Sequence, residues 1–528
     1  MLGALGAGLS QPSGWAVTGS TTSDNLAYPS DNLAYPSDNP LYPPDNQPYR
    51  SRYQNEPPVN PFLADSPWPM SHRNPYNQAS SPHPGPTTNT EAYPQFLSGE
   101  AVPITLAFSN PYADGRRVMW GNTLQHVFKV GGEDLKYRAK MPRRQKRDDA
   151  ISGAYAILDK DGRYFVPRGV HIEAYVDAIP HQADSPIRQA LVFELPESLQ
   201  VDHDDMIVGI NMTYDGRIVF VTRRGLIGSL SRDLDDFTYL RIGDSSTEIS
   251  NSIAVDETGG IFVVTSEDMN RVQWQSESRQ RLSLEWSTPY LGDRTRRPGR
   301  LGVGSGTTPT LVGVGDQDRF VVIGDGQDLM HMVLIWRDEI PADWPGLPGR
   351  DRRIAAEVPV TFGDPDAERS TTEQSITVRG HEMVVVSNLY GELRPIARRM
   401  FKRLAGLDIH LATIYRSNNA RIAPYGIEKF TWNPRTRQLT SSWANRSISC
   451  PNGIPTMSEA TGLCYLIGQR DSSWTLEAVS WETGESAFHQ KLSRDSDNNS
   501  FYAATEIGPG GSILTGTYSG ILEFGSTP

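Results

Sequence analysis

The chain has 528 residues, a formal net charge of −12 and a pI near 5.4, which argues against general nucleic-acid binding, since that needs a basic surface to neutralise phosphates. No run of 18 or more apolar residues occurs, so no segment reads as a transmembrane helix. Glycine and proline together make up about 16% of the residues, which favours a turn-rich architecture over a helical one.

The N-terminal stretch "MLGALGAGLSQPSGWAVTG" is short, Gly-rich and lacks a preceding positive charge. It makes a poor secretory signal, which favours a cytoplasmic location. Next comes "SDNLAYPSDNLAYPSDNPLYPPDNQPY", a seven-residue repeat phased by Asp24, Asp31, Asp38 and Asp45 and by Tyr28, Tyr35, Tyr42 and Tyr49. Its proline and asparagine content cannot sustain a helix. With few aliphatic residues to offset the entropy of ordering, residues 1–98 read as a disordered, partly polyproline-like tail. The spaced tyrosines make this either a plain spacer or a segment that binds proteins.

From about residue 99 the texture changes to short β-rich runs and glycine turns, with "RAKMPRRQKR" (138–147) reading as an exposed loop between strands, a nuclear-localisation patch or a dibasic cleavage site. Seven related units begin near Ser152, Val208, Asn251, Thr308, Gln374, Pro455 and Tyr502. Each has a strand, a polar turn and a second strand of β-branched and aromatic residues, as in "RIVFVT", "GIFVVT" and "RFVVIG". A third strand ends in tryptophan in four units (Trp274, Trp336, Trp432, Trp481), and Trp286 and Trp443 follow where a fourth strand would lie. Units of this kind predict an all-β β-propeller over 99–528, with seven blades, or six if the Ser152 unit is an extension. The tryptophans read as wedges between blades. The last unit has three clear strands, so the ring needs a fourth from upstream, either "VPITLAF" (102–108) or "LQHVFKV" (124–130). Inside the fifth unit, residues 392–407 have helical spacing, with Ile396, Met400, Phe401 and Leu404 on one face and basic residues elsewhere. This predicts a helix that covers one end of the ring, with a membrane-surface element as the other reading.

The stretch "RLGVGSGTTPTLVG" (300–313) is Gly-rich, yet it is no phosphate cradle. Thr307 stands where a dinucleotide fingerprint needs glycine, a strand follows it in place of a helix, and it holds no lysine. It reads as the polar connection into the innermost strand of a blade. Such connections converge at one mouth of the channel, where they would place Glu248, Glu373 and His203 as catalytic groups. Thr307, Thr308, Gln374, Asn452 and Asn499 are the expected substrate-binding residues. Glu248, Asn251 and Glu373 also offer oxygens that suit a divalent cation such as calcium. Two cysteines, Cys450 and Cys464, are too few for a disulfide framework or a zinc site and read as buried free thiols, with one disulfide the other reading. Sequons stand at Asn211, Asn445 and Asn498.

On its blade repeats, its "TTPTLVG" and its repeated tryptophans, the region from about 101 to 528 resembles the lactonase, senescence-marker and strictosidine-synthase-like propellers. It is similar, too, to the ring-closing propeller proteins of fungal trichothecene clusters, and more distantly to quinoprotein propellers. The resemblance implies small-molecule chemistry at the channel mouth, often with a divalent metal, Glu248, Asn251 and Glu373 being the counterparts by blade position. The expected function is an enzyme that hydrolyses an ester or lactone, or closes an oxygen ring, on a small-molecule substrate. The alternative is a non-catalytic scaffold that holds protein partners.

Overall fold

The structure is a computed structural model that describes residues 55–143, 152–244, 246–275, 281–293, 302–405 and 409–525. Eight blades follow one another along the chain, each with four antiparallel strands in radial order, and the seventh gains a short fifth strand, Ser80–Ser81, parallel to its innermost one. They span 106–142, 157–194, 207–241, 254–289, 310–359, 377–449, 456–491 and 505–525, the last completed by an upstream strand. The second strands Ile218–Thr222, Gly260–Val264 and Phe320–Gly324 are buried at every residue, because both faces meet neighbouring blades, and they are correspondingly all apolar or nearly so. Outer strands such as Ile187–Glu194 and Phe237–Arg241 instead mix half-buried and exposed positions.

Seven of these blades coincide with the seven units read from the sequence. The eighth corrects the count. It is the blade at 106–142, whose short inner strand Leu106–Phe108 and third strand His126–Gly131 had been offered as closing strands. The strand that closes the ring is Tyr93–Ser98, antiparallel to Gly520–Gly525. Hydrophobic periodicity could not separate these choices, since every candidate is a short β-compatible run and the pairing partner is some 400 residues away.

The largest departure from expectation lies between Asn55 and Ser98, a stretch assigned by composition to the tail. The repeat at 24–49 lies outside the described residues. Downstream, Asn55 to Pro67 visits the turns at one end of the ring: Gln317 Nε2 donates to Asn55, Tyr214 Oη to the Pro58 carbonyl, and Asn60 Nδ2 to the Met212 and Thr213 carbonyls. The chain then doubles back and runs inside the channel. There the carbonyls of Trp68, Pro69, Pro75, Tyr76, Gln78 and Ala79 accept from the amides of Phe108, Leu158, Val255, Leu311, Val378 and Met457. Those six amides belong to the innermost strands of blades 1, 2, 4, 5, 6 and 7. Blade 3 joins through Asn211 Nδ2, which donates to the Pro75 carbonyl at 3.1 Å. Innermost strands present an unpaired edge to the channel, and this segment pairs it. Trp68, Tyr76, Gln78, Ala79, Ser80 and Ser81 are fully buried, and Glu56 ties the segment to Arg73 and Arg379.

The tryptophans act as expected, with an added polar link. Trp274 Nε1 donates to Asp215, Trp432 Nε1 to Asp318 and Trp481 Nε1 to Glu382, each acid lying on the preceding blade. Trp336 packs edge-on against Trp432 at 6.0 Å. Cys450 and Cys464 are free and buried, and burial pushes the Cys464 thiol up to about 12. Asn211 is fully buried, so its sequon is closed to glycosylation. The basic cluster is no simple loop: Arg138 lies in the strand Tyr137–Pro142, and Arg143 turns inward, 3% exposed, to Glu173 at 3.2 Å. Residues 144–147 of it lie outside the described residues.

Two outcomes test the internal segment. Trp68→Ala should cost about 3–5 kcal/mol in chemical denaturation, whereas a tail residue would cost nothing. His72 is 2% exposed, lies with its ring tilted against Tyr155 at 5.8 Å, and burial lowers its pKa to about 4. A folded-state pKa below the unfolded value of 6.5 means that its contribution is present above pH 6.5 and is lost as pH falls from 6.5 towards 4. His72→Gln should therefore remove on the order of 2–3 kcal/mol of acid sensitivity in that window, read from denaturation midpoints at pH 7.5 and 4.5.

Candidate functional site

The polar connections into the innermost strands touch in series around the mouth. Asn251 Nδ2 donates to the Ser305 carbonyl at 3.0 Å, joining the connections to blades 4 and 5. Asn388 accepts from the Glu373 amide at 2.6 Å and donates to the Pro451 carbonyl at 3.0 Å, joining blades 6 and 7. Asn452 Nδ2 donates to Asn499 Oδ1 at 2.8 Å, joining blades 7 and 8. Below them Tyr155 Oη meets Thr308 Oγ1 at 3.3 Å, spanning the channel from blade 2 to blade 5. His72 of the internal segment lies beside Tyr155 and 3.5 Å from Ser375 Oγ. The channel is thus crossed beneath the mouth, and the internal segment lines it further down.

The Gly-rich loop sits between the two predicted carboxylates. A side chain at Gly306 would come within 2.8 Å of Glu373 Oε1 and 2.5 Å of the Thr372 carbonyl. One at Gly302 would lie 3.7 Å from Glu248 Oε1 and 2.6 Å from Ser250 Oγ. Gly304 has φ +77° and would put a Cβ 2.5 Å from Tyr290 Oη, so only glycine fits there. The glycines let one loop pass close to both acids. Thr307 and Thr308 are buried beneath it; Thr307 Oγ1 accepts from the Gly324 amide. Gln374 is 1% exposed, and its side-chain amide has no hydrogen-bond partner among the described residues.

His203 is not part of this group. Its side chain is 91% exposed and paired with Asp204 at 3.5 Å, because its connection bulges outward where Asp205 caps the Val201 and Arg224 amides. Nor are the carboxylates the place where metal-type ligands cluster. Among the described residues, Asp325, His331 and Glu357 of blade 5 form such a set. That set is closed on itself: Gln327 Nε2 lies 2.6 Å from Asp325 Oδ2 and 2.9 Å from His331 Nδ1, and Arg350 pairs with Glu357. Asn251, the expected third ligand, braces the loop with its amide nitrogen.

Three contributors escaped the sequence reading: Tyr390, Arg416 and Tyr502. The helical insertion is a pair, α1 (Pro395–Ala405) and α2 (Ile409–Ser417), where one helix was expected. No residue of α1 is buried; Ile396 and Met400, assigned to the packing face, are 78% and 44% exposed, while Phe401 and Leu404 are half-buried. The end of α2 does dock at the mouth. Asn499 Nδ2 donates to Ser417 Oγ at 2.8 Å and Gln469 Nε2 to the Ser417 carbonyl at 2.8 Å. This docking brings Arg416 over the Tyr390 ring at 4.6 Å. Tyr390 Oη in turn donates to the Pro451 carbonyl and Asn452 Oδ1. Tyr502 has φ +58°, a strained value for tyrosine that its amide bond to the Asn452 carbonyl helps hold. Burial raises the Tyr502 phenol, the Glu373 charge raises it further and Arg416 opposes both. A tyrosine in a polar connection and an arginine on a helix carry no periodic signal, so nothing in the sequence marked them.

Asn499→Ala should release α2 without unfolding the ring. Amide hydrogen exchange in 409–417 is expected to rise about tenfold or more while the blade strands stay protected; unchanged exchange there would show that Asn499 does not hold α2.

No family model matches the chain. Among solved structures it is similar to a europium-containing methanol dehydrogenase, with a TM-score of 0.51 and 10% identity over 87% of this chain and 97% of that one. It is also similar to a streptogramin B lyase, with a TM-score of 0.39 and 10% identity over 82% and 97%. At such identity the first likeness bears on the fold alone, and it supports a β-propeller without singling out the lactonase-like group. In sequence, 46% of residues are identical over 477 positions, 89% of each chain, to an Archaeoglobus fulgidus protein described as uncharacterized. Identity at that level along nearly the whole length shows common descent, and the chain belongs to one family with this Archaeoglobus fulgidus protein.

Proposed function

We propose that the protein is an enzyme acting on a small oxygenated molecule at the channel mouth, by ester or lactone hydrolysis or by closing an oxygen ring. The observation that carries this reading is the Gly302–Gly306 loop, which runs against Glu248 at one end and Glu373 at the other. Two carboxylates flanking one loop suit acid–base work. In hydrolysis, Glu373 takes a proton from water as its oxygen attacks the acyl carbon. Glu248 gives a proton to the departing alkoxide oxygen, and water restores both. In ring closure a substrate hydroxyl replaces the water. Gln374, with its unpartnered buried amide, and the Asn452–Asn499 pair are suited to orient oxygen atoms of the substrate. The channel is crossed beneath the mouth by Tyr155 and Thr308, which favours a site that substrate enters and leaves on one side.

The test is a screen of esters and lactones with the wild type, Glu248→Gln and Glu373→Gln. Each variant should lose about 100-fold or more in turnover on any substrate found, with the melting temperature nearly unchanged. Full activity in both variants would sink the assignment.

A further inference from the structure

Arg416 is a half-buried cation with no carboxylate paired to it among the described residues. Its guanidinium lies 4.6 Å from the centre of the Tyr390 ring and 5.9 Å from that of Phe401, and among the described residues it forms no ion pair. Arg73, Arg143, Arg217, Arg271, Arg337 and Arg379 each face a carboxylate within 4.0 Å, and the half-buried Arg117 and Arg353, which form no ion pair among the described residues, donate instead to backbone carbonyls. Withdrawing a guanidinium from water is costly unless an anion or a ring face offsets it. Two rings offset part of that cost at Arg416, and burial still lowers its pKa below the usual guanidinium value. The residue is also held in place. Ser417, next in the chain, is fixed by Asn499 and Gln469, and the Tyr390 phenol is fixed by Pro451 and Asn452.

We infer that Arg416 is an anion anchor at the mouth: its planar fork receives a carboxylate or phosphate of the ligand, with the ligand body lying towards Tyr502 and Glu373. The geometry suits this role. Ring faces offset charge without using up N–H donors, and a planar guanidinium fork can pair with two oxygens of one anion. Tyr390, under Arg416, donates to the Pro451 carbonyl, and Asn388 donates to that same carbonyl while accepting from the Glu373 amide, so a short hydrogen-bonded chain joins the anchor to the acid proposed to act on the ligand. The inference rests on the mouth being a ligand site, and it narrows the substrate class to molecules carrying one anionic group besides the reacting ester, lactone or hydroxyl. Helix α2 then has a defined purpose: it delivers the anchor from an insertion that the eight-bladed ring does not otherwise need.

The experiment is isothermal titration of the full chain with four probes: benzoate, phenyl phosphate, and the neutral benzamide and benzyl alcohol. The expected result is that at least one of the two anions binds about tenfold or more tighter than both neutral probes, and that Arg416→Gln abolishes the difference. Which anion wins separates carboxylate from phosphate recognition. Arg416→Lys should restore part of the preference, since it keeps the charge without the planar fork. The preference should also shrink as salt is raised. Equal binding of anions and neutral probes, no binding of any of the four at millimolar concentration, or an unchanged preference in a folded Arg416→Gln protein would each overturn the inference. Glu373→Gln separates the two claims: anion binding that survives in a variant with full turnover refutes the catalytic reading alone. Turnover lost in Glu373→Gln, with no anion preference in the wild type, refutes the anchor alone.

Discussion

Everything in this molecule depends on pairing the inner edge of the ring. Eight blades arranged around an axis leave eight innermost strands, each with amides facing a channel. In a wide ring those groups stay unpaired or wet. Here one turn-rich segment, Trp68 to Ala79, meets the inner strands of six blades in turn by backbone hydrogen bonds and a seventh through Asn211. Each such bond is worth about 1 kcal/mol net, but leaving the same groups buried and unpaired would cost more. The segment therefore acts as a hub, and the strand Tyr93–Ser98 that follows it shuts the ring by pairing with the last blade.

The hub also shapes the site. By filling the channel it makes the ring one-sided, and it puts His72 beside Tyr155 and Ser375 under the mouth. Above that level the connections between blades are bound to one another by asparagines: Asn251, Asn388, Asn452 and Asn499. Their side chains both donate and accept, which lets one residue bridge two backbones that belong to different blades. A site built this way is held by the ring and need not rest on any single loop. The helical insertion is fastened to the same network through Ser417, so its α2 end is part of the mouth although α1 stands clear of the blades.

The blade grammar was legible because it is local. Alternating strands, glycine turns and repeated tryptophans recur within spans of about 40 residues, and seven of the eight blades can be read from them. Glu248 and Glu373 stand out in the sequence for the same reason: both sit in polar connections that lead into a blade. The Gly-rich loop could be denied a phosphate on spacing alone, but its glycines acquire a meaning only when Gly302 and Gly306 are seen against Glu248 and Glu373. His203 had the same local credentials, yet its side chain is 91% exposed and pairs with Asp204.

By itself the sequence determined the class of fold, the place of the repeats and the end of the ring where polar residues gather, since each follows from patterns a few residues long. Tertiary structure alone decided the eighth blade, the closing strand, the internal segment and the docking of α2 that brings Arg416 onto Tyr390. Those depend on which distant backbones pair. Residues 55–98 show why: rich in proline, asparagine and serine, they have the composition of a chain that cannot build a core, and they are ordered because a ring of unpaired amides surrounds them.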